Sequence, residues 1–84
     1  MKDTLYFLSY DLIKNKDYKT LYQELAKFGA MQVLESVWCF KYSDNSSVFL
    51  RDHFRKFTDS DDRILLIKSA DWAGFNLKNN PNNL

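Results

Sequence analysis

The sequence predicts a small α+β domain in which two helices pack on a β-sheet. Three observations lead to this prediction. The chain has 84 residues, which suffices for one hydrophobic core and no more. Runs rich in aromatic and branched apolar residues alternate with two stretches in which apolar residues recur at helical spacing. Hydrophobic residues make up 45% and charged residues 27%, which is typical of a globular chain and not of a disordered one.

The first two elements are a strand and a helix. Residues 4–12 (TLYFLSYDL) are rich in Tyr, Phe and Leu, which favours a buried strand with Asp11 at its C-terminal tip. A helix is predicted from the candidate N-cap Asp17 to about Phe28, and Gly29 follows where a left-handed cap is expected. The apolar stripe of this helix consists of Tyr18, Leu21, Tyr22, Leu25 and Phe28.

The next β-rich run, residues 30–42, has two interpretations. It is either one long strand or a hairpin that turns near Glu35 and Ser36. The run contains no Asn-Gly or Asp-Gly turn signal, so the pattern alone does not choose between them.

The second half of the chain predicts a helix, a strand and a short extension. Ser46 or Ser47 is the expected cap of a helix that reaches about Phe57. Residues 63–69 (RILLIKS) predict a strand, and residues 71–77 a short last strand. The remaining residues, 78–84, are polar and have no evident core to join, so they are expected to fray.

With the hairpin, this order is β-α-β-β-α-β, the ferredoxin-like arrangement with an antiparallel sheet. The predicted organisation is a single domain over 1–77 and a polar C-terminal tail over 78–84. If residues 30–42 form one strand instead, the expected fold is a three-stranded α/β sandwich.

Composition excludes several classes of protein. The formal net charge of +1 excludes a strongly basic nucleic-acid coat and an acidic tail protein, although a local basic patch remains compatible with it. Cys39 is the only cysteine, which excludes an intramolecular disulfide and a zinc ribbon. The first residues do not have the pattern of a signal peptide, and no apolar run is long enough to span a membrane. A cytoplasmic protein without membrane contact is therefore expected.

Three stretches together resemble one family. Residues 8–12 (LSYDL) resemble the strand-end Tyr-Asp motif of the small CRISPR-associated protein that partners the integrase in spacer acquisition. Residues 28–29 (FG), Gln32 and residues 36–38 (SVW) are similar to that family's "YG…VQ.SVFE" segment, and residues 62–67 (DRILLI) to its "D.V.IY" strand. The virulence-associated protein D interferases and relatives outside CRISPR loci share much of this pattern.

The resemblance implies a ferredoxin-like homodimer. In the family, the strand-end Asp of each subunit faces its partner across the two-fold axis and can hold a divalent metal ion. Some members cut RNA or double-stranded DNA, and others hold DNA without cutting it. Asp11 is the matching residue, and it would be both the catalytic residue and the ligand of Mg²⁺ or Mn²⁺.

Two function hypotheses follow. The first is a homodimeric, metal-dependent endonuclease, in which the ion held by Asp11 activates water and Ser9 and Ser36 orient that water or touch phosphate. The second is a non-catalytic dimeric binding module or adaptor, including a phage- or plasmid-borne modulator of a host protein. Tyr18 and Lys19 stand where the family often has an Arg pair, and Cys39 stands where it has an acidic residue. The missing arginines and the near-zero net charge favour the second hypothesis, whereas the match of Tyr10 and Asp11 to the family's motif favours the first.

A rim of basic residues is the candidate nucleic-acid-binding surface. Lys14, Lys16, Arg51 and Arg55 are its principal members, with Lys19 and Lys56 beside them. The alternative is an ordinary solvated helix face. Five aromatic residues are candidates either for base stacking or for packing in the core and at a dimer contact. They are Tyr6, Tyr10, Trp38, Tyr42 and Trp72.

The remaining reactive side chains favour structural roles. His53 lies on the apolar stripe of the second helix, which indicates a packed histidine. Cys39 is expected to be a buried small hydrophobe. The acidic residues of the 58–62 loop, Asp59, Asp61 and Asp62, indicate a solvated turn more than a metal pair.

Overall fold

Four strands and two α-helices form the part of the chain that the computed structural model describes, residues 3–13 and 18–84. Lys14, Lys16 and Asp17 lie outside the described residues. The elements follow one another as β1 (Asp3–Asp11), α1 (Lys19–Lys27), β2 (Met31–Leu34), β3 (Val37–Ser43), α2 (Ser47–Arg55), β4 (Arg63–Lys68) and a 3₁₀ turn (Pro81–Asn83).

The strands form one antiparallel sheet in the order β2-β3-β1-β4. β1 is a central strand, and its register with β4 places Asp11 directly opposite Arg63. The predicted α+β class and the antiparallel sheet are confirmed.

The run over 30–42 is a hairpin and not one long strand. Glu35 and Ser36 form the turn between β2 and β3, and the Gln32 side chain donates a hydrogen bond of 2.8 Å to the Glu35 carbonyl. The register shifts between Gln32 and Leu34, as at a β-bulge. The turn therefore forms without an Asn-Gly or Asp-Gly pair, and this side-chain hydrogen bond and the bulge accompany it.

The main core lies between the helices and one face of the sheet, which we call the helix face. Because side chains alternate along a strand, Tyr6, Leu8 and Tyr10 of β1 all point to this face. They pack with apolar residues of both helices and of β3 in one buried cluster, which also contains Tyr18, Leu21, Leu25, Phe40, Leu50 and Phe54.

Helix α1 ends as the sequence predicts. Gly29 has a φ of 68°, the left-handed conformation that glycine adopts without steric cost. Its amide donates to the Ala26 carbonyl at 2.9 Å, and the amide of Ala30 donates to the Leu25 carbonyl at 3.0 Å. These two bonds make a Schellman motif and satisfy carbonyls at the end of the helix.

Helix α2 is capped by Ser46, which decides between the two predicted caps. The Ser46 hydroxyl accepts hydrogen bonds from the amides of Val48 (3.1 Å) and Phe49 (3.3 Å). The helix ends at Arg55, two residues before the predicted Phe57.

Replacing Ser46 by Ala should lower the free energy of unfolding by about 1 kcal/mol, because two helix amides lose their acceptor. Ser47→Ala is the matched control and should change stability by less than about 0.5 kcal/mol. Urea unfolding followed by circular dichroism measures both. Equal losses in the two variants would contradict this role of Ser46.

The second face of the sheet, which we call the back face, is partly covered by residues 69–84, the C-terminal segment. Trp72 packs edge-on against Phe7 of β1, with ring centroids 6.5 Å apart. The Lys78 amide donates to the Val33 carbonyl at 2.9 Å, and the Asn79 side chain donates to the Gln32 carbonyl at 2.7 Å. The segment therefore crosses from β1 to the outer strand β2.

Two predictions for the C-terminal segment are wrong. Residues 71–77 form no strand, and Asn76 within this run takes a left-handed φ of 56°. Residues 78–84 do have a core to join, because Pro81 is fully buried and opens a 3₁₀ turn capped by the Asn80 side chain. The sequence pattern did not predict the burial of Pro81, because residues 78–84 are mostly polar. The contact depends on this one proline and on backbone hydrogen bonds.

Candidate functional site

A cleft of about 650 Å³ opens at the β4 side of the molecule, between α2, the 58–62 loop and the start of β4. We call it the arginine cleft because three arginines line it. Its lining residues are Arg51, Arg55, Thr58, Asp59, Ser60, Asp62, Arg63 and Ile64.

Two of the arginines come from α2. Arg51 and Arg55 are four residues apart and therefore share one face of the helix. Asp52 binds Arg51 through two hydrogen bonds, at 3.0 Å from Nε and 2.8 Å from Nη2, and lies 4.0 Å from Nη1 of Arg55. A guanidinium carries five N–H donors, so Asp52 orients Arg51 while leaving three donors for a ligand.

The third arginine comes from the sheet. Arg63 is the first residue of β4, and its Nη1 lies 4.0 Å from Oδ2 of Asp11, the residue opposite it in β1. Both side chains are well exposed, at 75% and 70%. Such a pair contributes little to stability, so both groups remain available to a ligand.

A second cavity of about 200 Å³ adjoins the arginine cleft. It is lined by Ser9, Tyr10, Asp11, Arg63, Ile64 and Leu65, and it shares Arg63 and Ile64 with the larger cleft. The structure therefore places Ser9 and Asp11 in a cavity next to the cleft that Arg51 and Arg55 line. Ser36 lies at the same end of β1, where its carbonyl accepts a hydrogen bond of 3.1 Å from the Tyr10 amide.

Asp11 alone is a poor metal site. Among the described residues there is no group of three or more His, Cys, Asp or Glu side chains that could hold an ion. Mg²⁺ prefers six oxygen ligands, and among the described residues Asp11 is the only carboxylate that lines this second cavity. The described residues of one chain therefore do not complete a site for Mg²⁺ or Mn²⁺, and oxygens from a second copy or from a bound phosphate would be needed beside them.

Asp62 has a structural role in the wall of the cleft. Its Oδ1 accepts hydrogen bonds of 2.9 Å from the Ile13 amide and from the Tyr18 hydroxyl, and its Oδ2 accepts one of 2.8 Å from the Asp59 amide. These bonds tie the 58–62 loop to the end of β1 and the start of α1. The sequence predicted a solvated turn; residues 60–61 do form a turn, but it is anchored through Asp62 and is not simply solvated.

An aromatic group lies beside this end of β1, on the helix face. The Trp38 indole N–H donates to the Tyr10 hydroxyl at 3.0 Å, and Tyr22 stacks on Trp38 with centroids 6.0 Å apart. Burial raises the pKa of Tyr10 to about 12; the bond from Trp38 opposes this rise, and the bond to Tyr22 adds to it. Tyr6 and Tyr10 pack in the core and are not available for base stacking.

The raised pKa of Tyr10 predicts that stability falls at high pH. The folded state keeps the phenol proton that the unfolded chain releases near pH 10, so this contribution is complete below pH 10 and is lost as the pH rises towards 12. An absorbance titration at 295 nm should show Tyr10 ionising near pH 12. Tyr10→Phe should reduce the amplitude of that late transition by one tyrosine; an unchanged amplitude would contradict the assignment.

His53 and Cys39 have the predicted structural roles. Nε2 of His53 lies 2.6 Å from Oε2 of Glu24 and so links α2 to α1. Phe28, Phe54 and Phe57 surround the His53 ring at centroid distances of 5.3–5.6 Å. Cys39 is completely buried, and burial raises the pKa of its thiol, which disfavours a reactive thiolate.

The predicted site residues have three different outcomes. Arg51 and Arg55 line a real cleft, and Asp11 lies next to it. Lys14 and Lys16 fall outside the described residues. Arg63 was not among the candidates from the sequence, although a basic residue that opens a predicted strand was the available signal.

No family model matches this chain, and no solved structure matches it. In the described part of the chain, no helix has the length and apolar character that crossing a membrane requires.

Proposed function

We propose that this chain is a small, homodimeric, cytoplasmic nucleic-acid-binding domain with a ferredoxin-like fold. The element order β-α-β-β-α-β and the antiparallel strand order β2-β3-β1-β4 support the fold part of the proposal. The resemblance to the CRISPR-associated and virulence-associated protein D families is part of the same proposal and agrees with that order of elements.

One observation carries the functional part. Arg51, Arg55 and Arg63 come from two different elements and line a single open cleft. Guanidinium groups match the geometry of phosphate oxygens and remain charged at every physiological pH. The cleft is open to solvent, which suits a polymer backbone that passes along it better than an enclosed small anion. The carboxylates of Asp59 and Asp62 in its wall oppose anion binding, so the three arginines must provide the attraction.

The local charge explains how a nearly neutral chain can bind a polyanion. The net charge of +1 provides little long-range attraction, so binding must depend on a few close contacts. Each phosphate that is neutralised releases counterions, and affinity should therefore fall steeply as salt rises.

Binding can be tested by fluorescence anisotropy with labelled 20-nucleotide single-stranded RNA, single-stranded DNA and duplex DNA at low salt. We expect saturable binding to at least one of them that weakens as the salt concentration rises. No binding to any of the three at 50 mM salt would contradict the proposed function.

Metal-dependent cleavage is the second candidate function. The observation that favours it is the position of Asp11, which is exposed at a strand tip, 4.0 Å from Arg63 and beside the arginine cleft. A phosphate held by Arg63 would lie near this carboxylate. In a homodimer, the Asp11 carboxylates of two chains could share Mg²⁺ or Mn²⁺ with such a phosphate.

The substitution Asp11→Asn keeps the side-chain shape and removes the charge. It therefore distinguishes nucleic-acid binding without cleavage from metal-dependent cleavage. In a binding domain, the variant should bind RNA as tightly as wild type or more tightly, since a carboxylate beside the phosphate is removed. Stability should change by less than about 1 kcal/mol, because the Asp11–Arg63 pair is exposed.

The nuclease candidate makes the opposite prediction about activity. Wild type would cut labelled RNA or duplex DNA with Mg²⁺ or Mn²⁺ and not with EDTA, and Asp11→Asn would cut neither. Wild-type protein that cuts neither RNA nor duplex DNA with either metal would contradict the nuclease candidate. It would not contradict the proposed nucleic-acid binding.

A further inference from the structure

The C-terminal segment forms a polar cavity that the proposed nucleic-acid site does not use. The cavity has a volume of about 370 Å³, which lies within the size range of small-molecule sites. We call it the asparagine pocket, because asparagines make up most of its lining. Its lining residues are four asparagines, Asn76, Asn79, Asn80 and Asn82, together with Trp72, Gly74 and Leu77.

The walls of the asparagine pocket carry no charge. None of the described residues that line it is acidic or basic, whereas arginines and aspartates line the arginine cleft. An ionic ligand in the asparagine pocket would lose hydration without gaining an opposite charge. The lining therefore favours a neutral ligand that forms hydrogen bonds.

The asparagine side chains retain groups that can bind such a ligand. The amides of Asn76 and Asn82 have no hydrogen-bond partner among the side chains and backbone groups that the structure describes. Asn79 donates to the Gln32 carbonyl through Nδ2 and keeps its Oδ1, and Asn80 accepts from the Asn82 amide through Oδ1 and keeps its Nδ2. Since a side-chain amide has two donor hydrogens and an acceptor oxygen, the pocket offers both donors and acceptors.

Trp72 adds an aromatic ring and one further donor. Its Nε1 makes no hydrogen bond within the described part of the chain, and no buried side-chain nitrogen or oxygen there lacks a partner, so this N–H reaches solvent. The half-buried ring contacts Phe7 edge-on at 6.5 Å. An indole of this kind packs its ring against the C–H groups of a ligand and donates its N–H to a hydroxyl.

The pocket exists before a ligand binds. The Lys78 amide donates to the Val33 carbonyl at 2.9 Å, and Pro81 is fully buried, so both ends of the run 79–80 are fixed to the rest of the domain. Asn76 holds a left-handed φ of 56° on the other side of the cavity lining. A ligand that enters a segment anchored in this way orders few additional groups, which lowers the entropic cost of binding.

We propose that the asparagine pocket binds a neutral saccharide. A pyranose ring carries hydroxyl groups around its rim, each of which both donates and accepts, and its C–H groups form an apolar face. The four asparagines match the hydroxyl groups, and Trp72 matches the apolar face. A nucleobase has two flat faces to cover, and Trp72 is the one aromatic residue in the described lining.

This inference goes beyond the proposed function and does not depend on it. The asparagine pocket and the arginine cleft have no lining residue in common. A saccharide in the first should therefore leave the affinity of the second for nucleic acid unchanged.

A nuclear magnetic resonance titration of ¹⁵N-labelled protein with maltotriose, cellotriose and triacetylchitotriose tests the proposal. We expect at least one of these saccharides to shift the indole signal of Trp72 and the side-chain amide signals of Asn76 and Asn82, with saturation in the millimolar range. Trp38, the other tryptophan, is the internal control, because its indole N–H is bonded to the Tyr10 hydroxyl and should not shift.

Two variants test the individual contacts. Asn82→Ala and Asn76→Gly should each raise the dissociation constant at least about threefold, the usual effect of losing one neutral hydrogen bond. Glycine at position 76 keeps the left-handed backbone. Asn83→Ala is the matched control, because Asn83 lies in the same 3₁₀ turn, is exposed and does not line the pocket.

Three results would overturn the proposal. They are the absence of shifts with all three saccharides, equal weakening by Asn82→Ala and Asn83→Ala, and shifts of the same signals by adenosine but by none of the saccharides. Saccharide binding by a protein that binds no nucleic acid would support the asparagine pocket and contradict only the proposed function.

Discussion

Phe54→Ala should destabilise the protein by about 3–5 kcal/mol, the range for truncating a large aromatic side chain in a core. Phe54 is completely buried on α2 and contacts the rings of Phe28 and Phe40 at centroid distances of 5.0 and 5.6 Å. Domains of this size have a total stability of roughly 4–13 kcal/mol, so the loss is a large fraction of it.

The melting temperature should fall by more than about 12 °C, since 1 kcal/mol corresponds to roughly 4–8 °C in a domain of this length. Thermal melting by circular dichroism measures this shift. Phe49→Ala on the same helix is the matched control and should lower the melting temperature only slightly, because its ring is 54% exposed. Similar shifts for both variants would contradict the packing of α2 described above.

The triple substitution of Arg51, Arg55 and Arg63 by Gln should weaken nucleic-acid binding by at least about a hundredfold. Each charged hydrogen bond contributes roughly 1.5–3 kcal/mol, and about 1.4 kcal/mol corresponds to tenfold in affinity. Because the variant neutralises up to three fewer phosphates, the slope of log K against log salt should become shallower by about 2 on single strands.

The control for this experiment removes the same charge elsewhere. Lys27, Lys41 and Lys78 are exposed and do not line the arginine cleft, and their triple substitution by Gln changes the net charge equally. Anisotropy titrations should show that this control retains most of the affinity. Equal weakening in the two triple variants would mean that binding depends on overall charge and not on the cleft.

Local patterns predicted most of the fold. The helical spacing of Leu21, Leu25, Leu50 and Phe54 corresponds to the buried side of both helices, and Gly29 adopts the predicted left-handed cap. These features depend on residues close in sequence, which periodicity and capping preferences describe well. The hairpin at residues 35–36 was only one of two alternatives, because its bulge depends on pairing between strands.

Long-range contacts explain what the sequence did not predict. The C-terminal segment is held by the Trp72 contact with Phe7 and by bonds to the backbone of β2, partners more than 40 residues away. Arg63 belongs to the candidate site because the register of β4 with β1 places it opposite Asp11. Strand register follows from the packing of the whole sheet, so a linear pattern could not supply it.

The most direct test of the arginine cleft is a nuclear magnetic resonance titration of ¹⁵N-labelled protein with a short single-stranded RNA. The largest amide shift changes should fall on α2 near Arg51 and Arg55, on the 58–62 loop and on Arg63, with small changes on residues 69–84. Changes concentrated on the back face, or no changes at millimolar RNA, would contradict the assignment of this cleft to phosphate binding.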